Sequence, residues 1–255
     1  MKITTWNVNS LRVRLPHLLD WLGANPVDAI GIQETKLTDD RFPVDELAAA
    51  GWQAVFHGQK TYNGVALLSR EPAADVVRGI PGYEDAQARV IAGTVGDTRV
   101  INVYVPNGQA VGSEKYAYKL AWLDALVGYL RASLADWPRL ALVGDFNIAP
   151  APEDTHDPAV WEGKILCSDA ERERFVQLID AGLHDCFRRF EHPEKTFSWW
   201  DYRQLGFQLN KGLRIDHVLA SDALAAACSA CAVDREPRKW EKPSDHAPVT
   251  AEFAD

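Results

Sequence analysis

The residues Asn7, Glu34, Tyr104, Asp145, Asn147, Asp216, Asp245 and His246 all stand at or near the ends of apolar runs. The clearest run is Arg139-Leu140-Ala141-Leu142-Val143-Gly144-Asp145-Phe146-Asn147. It is too short for a helix and reads as a buried strand. Residues two apart on an extended chain point to one face, so Asp145 and Asn147 leave the core side by side. Alone, an Asp-x-Asn is an ordinary Asx turn closing a strand. The arrangement recurs at Glu34, which follows the apolar run Ala29-Ile30-Gly31-Ile32 and Gln33. If the strands share one core, such ends can converge on one rim. Carboxylate and amide oxygens gathered there suit a hard cation such as magnesium or manganese. Asp245-His246, close to a proline on either side, presents a carboxylate and an imidazole together. Asp216 can supply the separate carboxylate that orients the imidazole. A loop histidine by itself is usually just exposed or structural. Jointly, the set points to metal-assisted hydrolysis of a phosphoester.

These side chains need strands to hold them. Period-two patterns and turn residues predict strands over 2–8, 29–32, 53–57, 64–69, 74–78, 89–95, 98–105, 140–145, 212–219, 230–234 and 249–253. Helical spacing predicts a helix over 11–22, with Ser10 as N-cap and Gly23 as stop. Further helices are predicted over 43–50 and 115–134, and from the capping box Ser168-Asp169-Ala170-Glu171 to Asp180. The segment 150–168 has no clear period, and a loop of that length in a compact domain is usually functional. Helix-joined strands alternate with hairpins such as that at Gly96-Asp97, which suggests a mixed sheet or two packed sheets rather than a doubly wound one. No linker or charge block interrupts the chain, so one domain over 1–255 is expected. No GxGxxG or Walker-type loop is present, which disfavours a nucleotide cofactor.

Composition sets limits on the partner. The 255 residues are 47% hydrophobic and 25% charged, with a net charge of -9. That sign argues against a protein that coats nucleic acid by bulk electrostatics. It leaves room for a carboxylate site whose cations invert the local field. No run reaches the apolar length of a membrane span and the N-terminus lacks signal-peptide features, so a cytoplasmic protein is expected. Cys228-Ser-Ala-Cys231 lacks the second pair or histidine of a zinc set. With Cys167 and Cys186 it reads as incidental, reduced thiol.

Six ordered motifs carry a resemblance that spans essentially the whole chain. They are Trp6-Asn7-Val8-Asn9, Gln33-Glu34-Thr35-Lys36, Val103-Tyr104-Val105-Pro106-Asn107-Gly108, Gly144-Asp145-Phe146-Asn147-Ile148, Leu213-Arg214-Ile215-Asp216 and Ser244-Asp245-His246-Ala247-Pro248. The sequence resembles the exonuclease III family of bacterial apurinic/apyrimidinic endonucleases and 3′-repair exonucleases. The resemblance implies a four-layer α/β sandwich, two packed mixed β-sheets flanked by helices, as in deoxyribonuclease I and the wider endonuclease/exonuclease/phosphatase fold. It implies Glu34 as the main magnesium ligand with Asn7 as its partner, and manganese able to take magnesium's place. Asp145 would handle the proton of the attacking water or bind metal, and Asn147 would position water and phosphate. Tyr104 would hydrogen-bond the phosphate. His246, held by Asp216, would stabilise the pentacovalent transition state, and Asp245 would be a further acidic group at the metal. Tyr62, Asn63 and Asn107 would contact the DNA backbone, while Phe197-Ser198-Trp199 and Leu213 would form an apolar pocket for a base-less sugar.

The activity this implies is hydrolysis of DNA phosphodiesters on the 5′ side of abasic sites and at 3′ ends, by a monomer acting on double-stranded DNA. The loops 150–168 and 204–211 flank the expected pocket and vary within the family, so a 3′-end-cleaning enzyme with little abasic incision is the alternative. A small-molecule phosphoesterase on the same fold competes less well, because the aromatic pocket weighs against it. A non-catalytic DNA-binding module is disfavoured by the net charge and the complete catalytic set.

Overall fold

Residues along each central strand alternate between two buried faces, and this alternation builds the layers. The computed structural model describes residues 1–254. One sheet has the order β13 (Cys228–Val233), β14 (Val249–Phe253), β1 (Lys2–Asn7), β2 (Ala29–Gln33), β4 (Val65–Ser69) and β3 (Gln53–His57). The other runs β5 (Ala74–Arg78), β6 (Val90–Val95), β7 (Thr98–Tyr104), β8 (Leu140–Asp145), β12 (Asp216–Ser221) and β9 (Leu183–Asp185). A ribbon of β10 (Trp199–Trp200) and β11 (Gly212–Leu213) lies apart from both. Ile3, Leu67, Val100, Val143 and Val218 fill the space between the sheets. On the outer face of the first sheet, Trp6, Ile30, Ile32 and Leu68 pack on α1 (Leu11–Ala24) and α2 (Val44–Ala49). On the outer face of the second, Ile101, Val103, Leu142 and Leu219 pack on α3 (Glu114–Asp136) and α5 (Asp169–Asp180). Two short helices, α4 (Pro158–Trp161) and α6 (Asp222–Ala226), complete the chain. The expected four-layer sandwich is therefore present.

Sheet register puts the polar strand ends on one rim. β1 and β2 are parallel, with Asn7 beside Gln33. β7 and β8 are parallel, with Tyr104 beside Asp145. β12 is antiparallel to β8 and begins with Asp216 opposite Asp145. Gly144 permits the close approach of β8 to β7: a Cβ there would lie 2.0 Å from the Val103 carbonyl oxygen. The sheets are locked together by Asn102 of β7, whose amide donates to the carbonyls of Ile32 at 2.9 Å and Ala66 at 2.8 Å. Gln33 returns a bond to Asn102 Oδ1 at 2.6 Å. Buried bonds of this kind fix one alignment of the layers, since leaving their groups unpaired would be costly.

Several local expectations are corrected. Ser10 has φ 90 and makes no side-chain cap. The start of α1 is capped instead by the loop after β2: Ser10 N–H donates to the Glu34 carbonyl at 2.8 Å and Leu11 N–H to that of Thr35 at 3.1 Å. Gly23 does not stop α1, which ends on Ala24 with Asn25 bonded back to Trp21. The strand expected over 212–219 is broken at Arg214 and Ile215 into β11 and β12. Arg214 turns into the core, pairing with Asp154 at 2.6 Å and Asp185 at 2.8 Å. Asp154 belongs to the segment 150–168, which is thereby anchored and contains α4. The described residues form fourteen strands rather than eleven because of the split at Arg214 and Ile215 and because β9 and the ribbon strand β10 are too short to show a period. The capping box at Ser168 and Glu171 forms as expected. The four cysteines are free thiols. No helix among the described residues is long and apolar enough to cross a membrane.

Candidate active site

Asn7 stands at the centre of the rim. Its Nδ2 donates to Glu34 Oε1 and to Asp145 Oδ2, both at 2.9 Å. Its Oδ1 accepts the Asn9 N–H at 2.9 Å. Asn7 thus bridges the two carboxylates as a donor, and would ligate a cation through Oδ1 only after its amide turned over. Glu34 and Asn147 both adopt left-handed backbone, at φ 53 and φ 50. Strain of that kind, about 1–3 kcal/mol per residue, is kept where it aims a side chain. Lys36 pairs with Glu34 Oε2 at 2.9 Å. Asp145 is buried, and its Oδ1 accepts the Asn147 N–H at 2.9 Å. Burial raises the Asp145 carboxyl to about 7, against the pull of His246.

His246 lies across the site from Glu34. Its Nδ1 is 2.9 Å from Asp216 Oδ2, and its Nε2 faces Asp145 Oδ2 at 3.7 Å. Burial opposes a charge on the imidazole, but Asp216 and then Asp145 outweigh it and raise the group to about 10. His246 is therefore a cation near neutral pH, with Nδ1–H donating to Asp216. In that form it serves as a hydrogen-bond donor rather than a general base. Ser198 completes the support: its Oγ donates to Asp216 at 2.6 Å and accepts from the N–H groups of Ile215 and Asp216. Tyr104 stands beside Glu34, and burial with the charges of Glu34 and Asp145 raises its phenol far above the usual value. It remains an O–H donor. The Arg89 guanidinium lies 4.8 Å from the Tyr104 ring centre.

Glu34, Asp145 and His246 each bring one ligand-type atom within 4.8 Å of the others. Since His246 is cationic, the two carboxylates are the groups that fit a hard divalent ion. Asp245 stands outside this group. Its Oδ1 accepts from Asn9 at 2.8 Å and its Oδ2 from Trp199 Nε1 at 2.9 Å. Asn147 receives Asn107 Nδ2 on its own Oδ1 at 3.1 Å and donates to the Val105 carbonyl at 3.0 Å.

The residues expected to meet DNA separate into two sides. Tyr62, Asn63 and Asn107 line a cleft of about 720 Å³ beside Tyr104, together with Arg89 and Lys115. Tyr62 is exposed, whereas Asn63 is buried and donates to Gln59 and Gln87. On the other side, Phe197 and Leu213 are both 0% exposed, and only Trp199 of that trio keeps accessible surface. Leu213 packs with Ala149, Leu166, Cys167 and Ile215. Reading the sequence missed Arg89, Ser198, Asn9 and Lys36 as supports. Asn9, Lys36 and Ser198 lie inside stretches already singled out, but Arg89 carries no local signal.

The model of the Endonuclease/Exonuclease/phosphatase family matches residues 4–246. The chain belongs to this family. Within it, the exonuclease III branch is shown by similarity to the exodeoxyribonuclease III of Haemophilus influenzae, 38% identical over 99% of this chain and 100% of that one. The chain superposes on a 3′ phosphatase, NExo, from Neisseria bound to a product DNA hairpin, with a TM-score of 0.98, 51% identity and 100% of each chain covered. It is also similar to an AP endonuclease from Archaeoglobus fulgidus, with a TM-score of 0.96, 36% identity and 100% of each chain covered. This exonuclease III family member is a phosphodiester-hydrolysing enzyme, a DNA repair nuclease.

Proposed function

We propose that the enzyme is a magnesium-dependent nuclease that acts on duplex DNA chiefly at 3′ ends, removing 3′-phosphates and terminal nucleotides, with incision at abasic sites the lesser reaction. The carrying observation is the burial of the apolar side of the site: Phe197 and Leu213 are both 0% exposed, and of the residues expected to wall a sugar pocket only Trp199 keeps accessible surface. The relative solved with product DNA, itself described as a 3′ phosphatase, supports this reading. Glu34 and Asp145 would hold the magnesium ion, with manganese able to replace it. The ion supplies charge neutralisation at the phosphate oxygens. Around it, the Tyr104 O–H and the Asn147 amide hold the phosphate. Asp145, whose carboxylate is held in place by the Asn7 amide and the Asn147 N–H, would take the proton of the attacking water. The His246 imidazolium donates to the phosphate oxygen on which charge develops.

A panel of duplexes tests the substrate: a 3′-phosphate, a recessed 3′ end and an internal abasic site, each with magnesium and with EDTA. The two 3′ substrates should be processed faster than the abasic one, and EDTA should stop all three. Abasic incision that outruns both 3′ reactions would overturn the order. In paired EDTA titrations, Trp199→Ala should weaken abasic and intact duplexes alike. A loss of about 1–3 kcal/mol confined to the abasic duplex would instead identify a working sugar pocket.

Metal binding should be coupled to protons. A divalent ion requires the Asp145 carboxylate ionised, and in the metal-free protein that group is half-protonated at about 7. Magnesium affinity should therefore fall as pH drops from 8 to 6, approaching about tenfold per pH unit below the midpoint. Calorimetry in buffers of different ionisation enthalpy should record a proton released per ion bound at pH 6. Pure heat of binding with no buffer dependence at pH 6 would remove Asp145 from the ligand set.

A further inference from the structure

Lys119 is 0% exposed on α3, and nothing in the chemistry above uses it. A buried ammonium persists only where its partners offset its desolvation. Nζ of Lys119 donates to the main-chain carbonyls of Asn147 at 2.7 Å and Asn107 at 3.2 Å. These are the two residues whose side-chain amides are joined in the site. The same Nζ forms an ion pair with Glu171, which is also 0% exposed. Glu171 in turn accepts the N–H groups of Leu166 and Ser168, both at 3.1 Å. Leu166 has left-handed backbone, φ 72, and its side chain belongs to the cluster that covers Leu213. Packing around the lysine stem is tight: a Cβ on Gly108 would lie 3.0 Å from Lys119 Cδ and 2.8 Å from Ile165 Cδ1.

A capping box needs only that the glutamate reach back to the N-cap N–H. The additional bonds to Leu166 and Lys119 go beyond capping. Replacing a buried ion pair by apolar residues of similar volume is often neutral or stabilising. Stability alone therefore does not explain why charge stands here, at the meeting point of the loops that follow β7, β8 and α4.

We propose that Lys119 and Glu171 are a positioning pair for the hydrolytic reaction. Lys119 holds the two carbonyls beside which the Asn107 and Asn147 amides project toward the phosphate. Glu171 fixes Lys119 and keeps the 166–168 segment closed over the apolar side of the site. Neither touches substrate. The inference rests on the role proposed above for Asn147.

The test uses the full chain and whichever duplex of the panel the wild-type enzyme cleaves fastest. Lys119→Met alone leaves Glu171 as an uncompensated buried charge and can fail to fold. The informative variant is Lys119→Met with Glu171→Leu, which removes both charges and keeps the volume. Its unfolding midpoint should stay near that of the wild type while kcat falls by about 10- to 100-fold, the scale of a small misplacement of reacting groups. KM should change by no more than about twofold, because the loss falls on the transition state. A folded double variant with wild-type kcat would make the pair purely structural. A midpoint that falls together with kcat would overturn the proposal too, since it would trace the loss to folding. Asn147→Ala, run alongside, separates the two levels: if it keeps the wild-type rate, the role given to Asn147 is what fails.

Discussion

Glu34→Ala is expected to lower magnesium-dependent turnover by on the order of 10³-fold or more, which corresponds to several kcal/mol of lost charge stabilisation at the phosphate. Glu34 sits on the rim after β2, and its side chain is 18% exposed. Its carboxylate is one of the two that fit the cation, it accepts from Asn7, and its charge helps raise the Tyr104 phenol. Little apolar contact is lost on truncation. Alanine meets the same left-handed backbone as glutamate, so the strain at φ 53 is unchanged. Lys36 loses its ion pair but keeps its bond to Asn9 Oδ1, and such partly exposed pairs contribute about 0–1 kcal/mol. The unfolding midpoint should therefore move only slightly. Steady-state rates over a magnesium titration, with circular dichroism to confirm the fold, make the measurement. A folded variant with near-wild-type, EDTA-sensitive activity would remove Glu34 from the site.

The second large effect is expected at Asp216. This buried carboxylate accepts from His246 and from Ser198. It is the strongest of the attractions that keep the imidazole charged against burial. Asp216→Asn keeps the shape and removes the charge, so the imidazole pKa should fall from about 10. Transition-state stabilisation is then lost, about 10²- to 10³-fold in kcat, with KM little changed. The sign of the pH effect follows directly. His246 acts only while protonated, which in the wild type covers the range below about 10. In the variant, activity should fade at a lower pH as the proton leaves, moving the alkaline limb of kcat downward. Asp216→Asn and His246→Asn should together cost scarcely more than either alone, because they disable one device. Additive losses with an unmoved alkaline limb would show that the residues work separately.

The strands and the order of the polar groups were legible in the sequence because both are local. Short continuous apolar runs mark Ala29–Gln33 and Leu140–Asp145 as buried strands. A carboxylate directly after such a run must leave the core where the strand stops. The capping box at Ser168 was legible for the same reason, since its partners lie three residues apart. Residue type alone pointed to a hard cation and a carboxylate-held imidazole. The tertiary structure decided what depends on partners distant in sequence. The charges of Asp216 and Asp145 outweigh burial and favour the protonated form of His246. The Asn7 amide bridges two carboxylates that come from different sheets. Arg214 breaks a strand whose composition reads as continuous, because its charge must find Asp154 and Asp185 once buried. Leu213 is sealed beneath Leu166, and Lys119 meets Glu171, only after the loops close. A sequence records which side chains are apolar or charged. Which buried charge finds which partner, and whether an apolar side chain walls a pocket or fills it, is fixed by packing between segments tens of residues apart.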